Sequence, residues 1–368
     1  MDLESILVRI PLKLTKMDHS EFSTGVTQKD VARALGVTQA TVSMALRNDP
    51  QIPEVRRKEI QEMAAKMGYR ANAPATALIR FRQASKVVPV HASLAWLNFW
   101  PKPEELHKVP LFRANWEGAV AAAERLGYRI EEFICGGEKG FAPQRLKSIL
   151  EAQGIQGILL PPQRPPVPAD AFEFDWKHFA AIRIGHTVTH PAVHVVTHSQ
   201  ASDTLLACKM IREKGYKRIG HLTSETLDCY AFFEAGFLKS QLFSLPEDRI
   251  PLLVLENNPE PNERVLKRID DWMKQYRPDA ILSTEGNIVR LLNAAGYRVP
   301  EDVAVAASSV RNSDADAGIF ENPEEVGRAA VKTLISQLQR HEFGVPEFPQ
   351  DILVHGMWED GSTLPPKS

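Results

Sequence analysis

Apolar residues near the start of the chain recur at helical spacing in three short runs. The first run ends at Gly36, and Thr27 with Asp30 has the spacing of a capping box before it. Thr38 can cap the second run, and Pro53 suits the first turn of the third. The apolar positions are Val31, Ala32, Leu35, Val42, Ala45, Leu46, Val55, Ile60, Met63, Ala64 and Met67. This pattern predicts a compact bundle of three short helices.

After residue 83, apolar strand segments alternate with amphipathic helices, which predicts parallel sheets covered on both faces. The predicted strands are residues 87–95, 129–134, 155–160, 179–184, 217–222, 251–255, 279–283 and 302–306. The predicted helices are residues 112–126, 200–214, 229–242, 262–276 and 323–340. About 280 residues exceed one typical domain, so we expect two α/β lobes with a cleft between them.

The composition is that of a folded globular protein. Hydrophobic residues make up 43% and charged residues 24% of the 368 residues. Three widely spaced cysteines, Cys135, Cys208 and Cys229, argue against a disulfide framework. No apolar run approaches the ~18 residues of a membrane-spanning helix, and the start of the chain lacks the positive leader of a secretory signal. We therefore expect a cytoplasmic protein without a membrane partner.

Charge is distributed unevenly along the chain. Residues 26–82 hold ten Lys and Arg against five Asp and Glu, a net charge of +5, and residues 1–25 carry −1. Because the whole chain carries −2, residues 83–368 carry −6. A basic module on an acidic body suggests a polyanion partner for the module, although a solvated helical surface could carry the same charge.

A helix, a turn at Gly36 and a second helix that opens at Thr38 form the arrangement that places a recognition helix in the major groove of DNA. Gln39 can form a bidentate pair with adenine, and Ala40 can contact the methyl group of thymine. The positive N-terminus of the helix favours the phosphate backbone. A purely structural helical bundle is the alternative interpretation.

Three segments of this region carry a resemblance to a known family. They are residues 26–43 (VTQKDVARALGVTQATVS), 45–48 (ALRN) and 68–72 (GYRAN). They resemble the DNA-binding headpiece of LacI/GalR-type bacterial transcription regulators. In that family an Arg usually follows the Val-Ser pair; here the residue is Met44, which cannot make a bidentate guanine contact. The DNA-contacting residues that the resemblance implies are Thr27, Thr38, Gln39, Ala40, Thr41, Ser43, Met44, Arg47, Asn72 and Leu78.

Residues 72–78 (NAPATAL) resemble the hinge of that family, whose leucine is wedged into the minor groove by a dimer, so Leu78 is the candidate wedge. About eight residues are too few for a stable isolated helix, which agrees with a hinge that forms on DNA. A ligand that changed the spacing of two hinges would shift the affinity for DNA. Leu78 could instead pack against Met67 and Tyr69.

The rest of the chain resembles a two-lobed body of the type I periplasmic-binding-protein-like class, with three crossovers between its lobes. The segments that carry this resemblance are residues 126–128, 155–159, 214–220, 236–237, 278–281, 299–303 and 322–327. The predicted parts are a flexible leader (1–25), a helix-turn-helix headpiece (26–71), a hinge (72–84) and the body (85–368). Lobe 1 is expected at about residues 85–215 and 313–344, and lobe 2 at about 216–312 and 345–362.

The polar effector ligands of the family are absent at the matching positions of this chain, which hold Phe233, Glu285 and Ser309. A long loop after the first predicted strand carries aromatic residues instead, at the edge where open α/β sheets usually bind ligands. We expect this loop to line the effector cleft, with core or interface aromatics as the alternative. The candidate effector residues are Trp96, Phe99, Trp100, His186, Phe233, Glu285 and Ser309.

Four histidines, His186, His190, His194 and His198, recur at a spacing that would align them for zinc on a helix. Pro191 opposes a helix, and in a strand at ~3.3 Å per residue the neighbouring histidines would lie ~13 Å apart. The sequence shows no nucleophile elbow, phosphate loop or dinucleotide fingerprint. We therefore expect no metal, no cofactor and no enzyme activity.

Three hypotheses for the function follow. The leading one is a homodimeric transcription regulator that binds double-stranded operator DNA. Repression is its expected mode, and a small-molecule effector in the cleft, with a carbohydrate as the candidate, is expected to modulate it. The alternatives are a small-molecule receptor or regulator with a degenerate, ligand-free cleft, and a metal hydrolase built on the histidines.

Overall fold

The structure is a computed structural model, and it describes residues 26, 28–46, 52–67, 92–137, 140–163, 173, 175–224, 231–256 and 259–367. The chain divides into two compact units, Met1–Val87 and Val88–Ser368. The predicted leader and hinge, residues 1–25 and 72–84, lie outside the described residues. Among the described helices, none combines the length and the apolar character that a membrane span requires.

The first unit contains the three predicted helices. They are α1 (Gln28–Leu35), α2 (Gln39–Leu46) and α3 (Glu54–Lys66). Gly36 has φ 65° and makes the turn after α1, a conformation that most other residues adopt only with strain. The helices meet in one small apolar core, formed by Val31, Ala32, Val42, Ala45, Ile60 and Ala64. The helical spacing in the sequence thus predicted both the elements and their buried faces.

The described part of the body contains two sheets of six strands each. The first sheet has the order β11-β5-β4-β3-β1-β2, with β1 (Ala92–Asn98), β2 (Tyr128–Ile134), β3 (Gly157–Leu160), β4 (Ala180–Ile184), β5 (His194–His198) and β11 (Asp351–Val354). The second has the order β12-β10-β9-β8-β6-β7, with β6 (Ile219–Ser224), β7 (Leu253–Leu255), β8 (Ala280–Ser283), β9 (Ala304–Ala307), β10 (Gly318–Phe320) and β12 (Met357–Glu359). Neighbouring strands are parallel except β10 and β12, which are antiparallel.

Helices cover the faces of both sheets, so the predicted class of a helical headpiece with a two-lobed α/β body is confirmed. The helices of the body are α4 (Pro110–Arg125), α5 (Pro143–Ala152), α6 (Gln200–Glu213), α7 (Phe232–Gln241), α8 (Glu263–Tyr276), α9 (Ile288–Ala294) and α10 (Pro323–Arg340). Every residue of β3, β4, β8 and β9 is buried, because helices lie on both sides of these central strands.

Helices α4 and α10 pack with their backbones in close contact. A Cβ atom added to Gly118 would lie 2.0 Å from the carbonyl oxygen of Glu324, and one added to Gly327 would lie 1.9 Å from that of Asn115. These distances leave no room for a side chain, so the two glycines set how closely the helices approach. The first sheet packs against this helix pair.

The chain crosses between the sheets after β5, after β10 and after β11. The predicted lobe boundaries are wrong in three places. Helix α6 and residues 313–320 belong to lobe 2, because Ile211 and Ala317 share a core with Ile219 of β6. Strand β11 belongs to lobe 1, since Asp351 pairs with Val195 of β5. An apolar pattern shows which face of a helix or strand is buried, but it does not show which of two sheets that element joins.

The strand predictions differ from the structure at two kinds of position. The first strand, Ala92–Asn98, continues past the predicted end at residue 95, and residues 87–91 lie outside the described part of the chain. The apolar pattern also misses β5, β10, β11 and β12, which have five, three, four and three residues. Polar residues flank these short strands, so they lack the longer apolar runs that mark β3, β7, β8 and β9.

Candidate functional site

The N-terminus of α2 is the candidate DNA-reading surface. Thr38 caps the helix, because its Oγ1 accepts a hydrogen bond from Thr41 N at 3.1 Å. Thr38, Gln39 and Ala40 are exposed, whereas Val42 on the opposite face is fully buried in the headpiece core. One face of α2 is therefore anchored, and the side chains of its first turn face the solvent.

A contact between helices fixes the orientation of α2. The side chain of Gln61 on α3 donates from Nε2 to the carbonyl oxygen of Ala45 at 2.9 Å, near the C-terminal end of α2. Arg56 on α3 donates in the same way to the carbonyl oxygen of Leu35, the last residue of α1. Both bonds satisfy carbonyl groups that a helix end leaves unpaired, and together they hold the three helices in register.

The remaining predicted DNA contacts are only partly described. Met44 lies on α2 and is half-buried. The others lie outside the described residues: Thr27, Arg47, Asn72, Leu78 and the side chain of Ser43. Of the predicted DNA contacts, those in the first turn of α2 therefore lie together in the described structure.

A cavity lies between the two lobes of the body, at the carboxyl ends of strands from both sheets, where open α/β sheets bind ligands. The space open to the centre of a water-sized sphere is about 120 Å³. This is room for several water molecules or for a small molecule. Its polar lining consists of Asn115, His186, Thr187, Thr197, His198, Gln200, Thr284, Ser308, Ser309, Asn312 and Glu321. Its apolar lining consists of Leu111, Phe112, Pro162, Ile184, Phe233, Pro323 and Val326.

Several buried polar atoms around this cavity have no hydrogen-bond partner among the described residues. They include Asn115 Oδ1, Ser308 Oγ and Glu321 Oε2. Burial raises the pKa of Glu321 to about 7, although nearby His198 favours its charged form. A buried polar atom without a partner is destabilising, so these atoms indicate where a ligand would complete the hydrogen bonding.

The crossings between the lobes meet beside the cavity. His198, the last residue of β5, has Nδ1 3.2 Å from Asp203 Oδ2, and the other carboxylate oxygen of Asp203 accepts a bond from Gly356 N at 2.9 Å. Gly356 lies in the crossing between β11 and β12. Asn322, in the crossing after β10, donates from Nδ2 to His355 O at 2.8 Å. The crossings between the lobes therefore adjoin the cavity wall.

The histidine series does not come together. His186 lies in the cavity wall, with Nε2 3.1 Å from Asp351 Oδ2. His194 accepts a hydrogen bond at Nδ1 from Gln350 N, at the edge of the first sheet, and His190 lies in the loop before β5. Across the part of the chain that the structure describes, no group of three His, Cys, Asp or Glu side chains is placed to hold a metal ion.

The predicted aromatic residues are buried in the core of lobe 1 and do not line the cavity. Trp96 lies inside β1, so its predicted position in a loop is wrong; the strand continues to Asn98. Phe99 and Trp100 follow the strand, and Trp100 donates from Nε1 to the carbonyl oxygen of Pro162 at 2.8 Å. Trp100 also contacts Phe112, a residue of the cavity lining, edge to face with ring centroids 6.0 Å apart. Trp100 therefore supports the wall from behind.

The other candidate effector residues lie at or next to the cavity. Phe233 and Ser309 line it, and the Phe233 ring lies 5.7 Å from the His198 ring. Glu285 lies directly behind the lining, because Thr284 Oγ1 is 3.3 Å from Glu285 Oε1. Burial raises the pKa of Glu285.

Glu321, Asn115 and Ser308 were not predicted from the sequence. Asn115 lies within an amphipathic helix, where a polar residue on the inner face is the available signal. Ser308 and Glu321 directly follow β9 and β10. Polar residues at the ends of strands indicate a site only when those strands are known, and β10 is too short to be predicted.

Comparison with known proteins identifies the family. Residues 27–72 match the family of bacterial regulatory proteins described as lacI, and residues 208–354 match the periplasmic binding protein-like domain. Residues 27–72 therefore belong to the DNA-binding domain of the LacI family. The HTH-type transcriptional regulator GntR of Pseudomonas aeruginosa is 34% identical to it over 99 residues. That match spans 27% of this chain and 29% of the length of GntR.

Solved structures share the fold at low sequence identity. The transcriptional regulator CelR in complex with cellobiose has a TM-score of 0.54 at 17% identity, over 92% of this chain and 99% of its own. The lac repressor dimer bound to operator and the anti-inducer ONPF has a TM-score of 0.51 at 17% identity, with the same coverage. The probable maltose operon transcriptional repressor malR from Staphylococcus has a TM-score of 0.55 at 13% identity, over 74% of this chain and 97% of its own.

Proposed function

We propose that this protein is a sequence-specific DNA-binding transcription regulator that acts as a repressor, and that a small molecule in the body cavity modulates its affinity for operator DNA. The observation that carries the proposal is the first turn of α2. Its capping residue Thr38 is in place, its buried face is anchored in the headpiece, and Gln39 and Ala40 are exposed. A helix presented in this way can enter a major groove with its N-terminus towards the bases.

Base reading is expected to come from short side chains. Gln39 pairs with adenine through its amide, and Ala40 contacts a thymine methyl group. Met44 contributes an apolar contact and no bidentate guanine pair. Arg47 and the backbone amides at the start of α2 neutralise phosphates, which makes the affinity salt-dependent.

Two headpieces are needed to read a pseudo-palindromic site, so the proposed regulator is a homodimer. Leu78 of each copy enters the minor groove, and the spacing of the two hinges links the state of the body to the affinity for DNA. Because its partner is chromosomal DNA, we place the protein in the cytoplasm.

The effector is proposed to lie in the cavity between the lobes. The unpaired atoms of Asn115, Ser308 and Glu321 support this position, since a ligand with hydroxyl or amino groups would supply their missing partners. The cavity volume of about 120 Å³ suits a small ligand. The cellobiose bound by the structural relative CelR supports a carbohydrate as the class.

Selection of bound duplexes from a random pool tests the DNA-binding function. We expect the full-length protein to enrich a pseudo-palindromic sequence and to bind it with a steep salt dependence. Gln39→Ala should weaken binding to the enriched sequence about tenfold or more and relax the preference at one base pair of each half-site. Gln153→Ala, at an exposed glutamine of the body, is the matched control and should leave binding unchanged. Equal, weak binding to every duplex would contradict the proposal.

A further inference from the structure

The described lining of the cavity contains no Lys or Arg. Anionic small molecules such as sugar acids and sugar phosphates are usually held by these two side chains, because their charge and N–H groups match carboxylate and phosphate oxygens. Glu321 is the acidic residue of the lining. The charge of the wall therefore disfavours an anionic ligand.

The carboxyl group of Glu321 lacks a full set of hydrogen bonds, although the Ser309 hydroxyl stabilises its charged form. The residue is 1% exposed, and its Oε2 has no hydrogen-bond partner among the described residues. A buried carboxylate is stable when it is paired with a cation or protonated, and burial raises the pKa of Glu321 to about 7. A positively charged donor would satisfy both the charge and the unpaired oxygen.

Two more carboxyl groups lie behind the lobe 2 wall of the cavity. Thr284, a lining residue, has Oγ1 3.3 Å from Glu285 Oε1 and 2.9 Å from Thr223 Oγ1. The Thr223 hydroxyl in turn donates to Glu234 Oε1 at 3.4 Å, and Glu234 Oε2 is buried without a partner in the described structure. These groups add to the negative potential on the same side of the cavity.

The histidines of the wall do not reverse this potential. His198 contacts Asp203 at 3.2 Å, and His186 contacts Asp351 at 3.1 Å. A protonated histidine beside an ionised carboxylate forms a pair with no net charge, and a neutral histidine leaves the pair negative. Neither pair offers a net positive charge to a ligand.

On the proposed function, in which this cavity is the effector site, we propose that the effector is a small protonated amine, of the size of an amino sugar. Its ammonium group lies against Glu321 Oε2, and its other polar groups meet Asn115 Oδ1 and Ser308 Oγ. Phe112 and Phe233 also line the cavity, and aromatic rings attract cations rather than anions.

Calorimetry with the full-length protein and matched sets of ligands tests this inference. Each set contains a hexose, its 2-amino derivative, its N-acetylated 2-amino derivative and its aldonic acid, built on glucose, galactose and mannose. In at least one set the free amine should bind about tenfold or more tighter than the hexose and the N-acetyl compound, since only the amine carries the charge. The aldonic acids should not bind. An aldonic acid as the tightest ligand, equal affinity for amine and hexose in every set, or no binding by any amine would overturn the inference.

Two variants test whether the carboxylate of Glu321 is the group that binds the ammonium group of the ligand. Glu321→Gln keeps the shape of the side chain and should abolish the preference for amine over hexose. Glu117→Gln, at an exposed glutamate on α4, should keep it. If Glu321→Gln does not fold, the order of ligand affinities that the unaltered protein shows within each set still tests the inference. Operator selection with the same preparation separates the two proposals: enriched duplexes together with a failed ranking would remove the amine inference alone.

Discussion

His198 Nδ1 lies 3.2 Å from Asp203 Oδ2, and this pair ties the end of β5 to the first turns of α6 where the chain passes from lobe 1 to lobe 2. Asp203 also accepts a hydrogen bond from Gly356 N, in the crossing between β11 and β12. One buried carboxylate therefore joins two of the crossings, next to the cavity. A ligand that alters the separation of the lobes acts on these bonds.

Asp203→Ala should destabilise the protein by about 2–4 kcal/mol. The substitution leaves the half-buried Gly356 N–H without an acceptor and removes the partner of His198, and an unsatisfied buried group costs about 1–3 kcal/mol. Urea unfolding of the full-length protein measures the change. Asp203→Asn keeps one acceptor oxygen and should lose less than the alanine variant; equal stability of all three proteins would contradict the role of the carboxylate.

Gly327→Ala should destabilise the body by about 1–3 kcal/mol, because its Cβ would lie 1.9 Å from Asn115 O and force α10 away from α4. The sign is informative, since the same substitution in an isolated helix stabilises by up to about 1 kcal/mol. Thermal unfolding compares it with Lys332→Ala, a change at an exposed position of the same helix that should stay within about 0.5 kcal/mol. A more stable Gly327→Ala protein would refute the close contact.

Glu321 should make stability depend on pH. Its folded-state pKa is raised to about 7, so the folded protein keeps a proton that the unfolded chain releases above the ordinary glutamate pKa of about 4.5. The stabilisation is complete below about pH 4.5, is lost as the pH rises to about 7, and is then constant. Glu321→Gln removes this loss, so between about pH 4.5 and 8 the variant should gain about 3 kcal/mol relative to the unaltered protein. Urea unfolding at several pH values measures the difference. If the free energy of unfolding depended on pH in the same way for both proteins, the pKa of Glu321 would not be raised by burial.

Thr38→Ala should weaken the start of α2 by about 1 kcal/mol, because Thr41 N loses the side-chain acceptor that caps the helix. Hydrogen exchange of residues 28–46 in the full-length protein should become faster, while exchange in the body stays the same. Thr38→Ser keeps the capping hydroxyl and serves as the matched control. Identical exchange in the alanine and serine variants would show that the cap does not stabilise α2.

Much of the architecture could be read from local patterns. The helices of the headpiece follow from the spacing of Val31, Val42 and Ile60, since side chains three and four positions apart share a helix face whatever the rest of the chain does. The buried strands of the body appear in the sequence as continuous apolar runs, and its amphipathic helices show the same helical spacing as the headpiece. Thr38 and Gln39 could be placed at the start of α2 because capping is also a local property.

The cavity could not be read in this way. The sequence predicts Trp96 in a loop, whereas in the structure β1 continues to Asn98. Glu321 follows the three-residue strand β10, which the sequence does not predict, so no pattern marks Glu321 as a site residue. The pairing of Asp351 with Val195 joins segments far apart in sequence and decides which lobe β11 belongs to. The altered acidity of Glu321 arises from burial between both lobes. Spacing reports the face on which a side chain lies, whereas burial and partners depend on which distant segments pack against it.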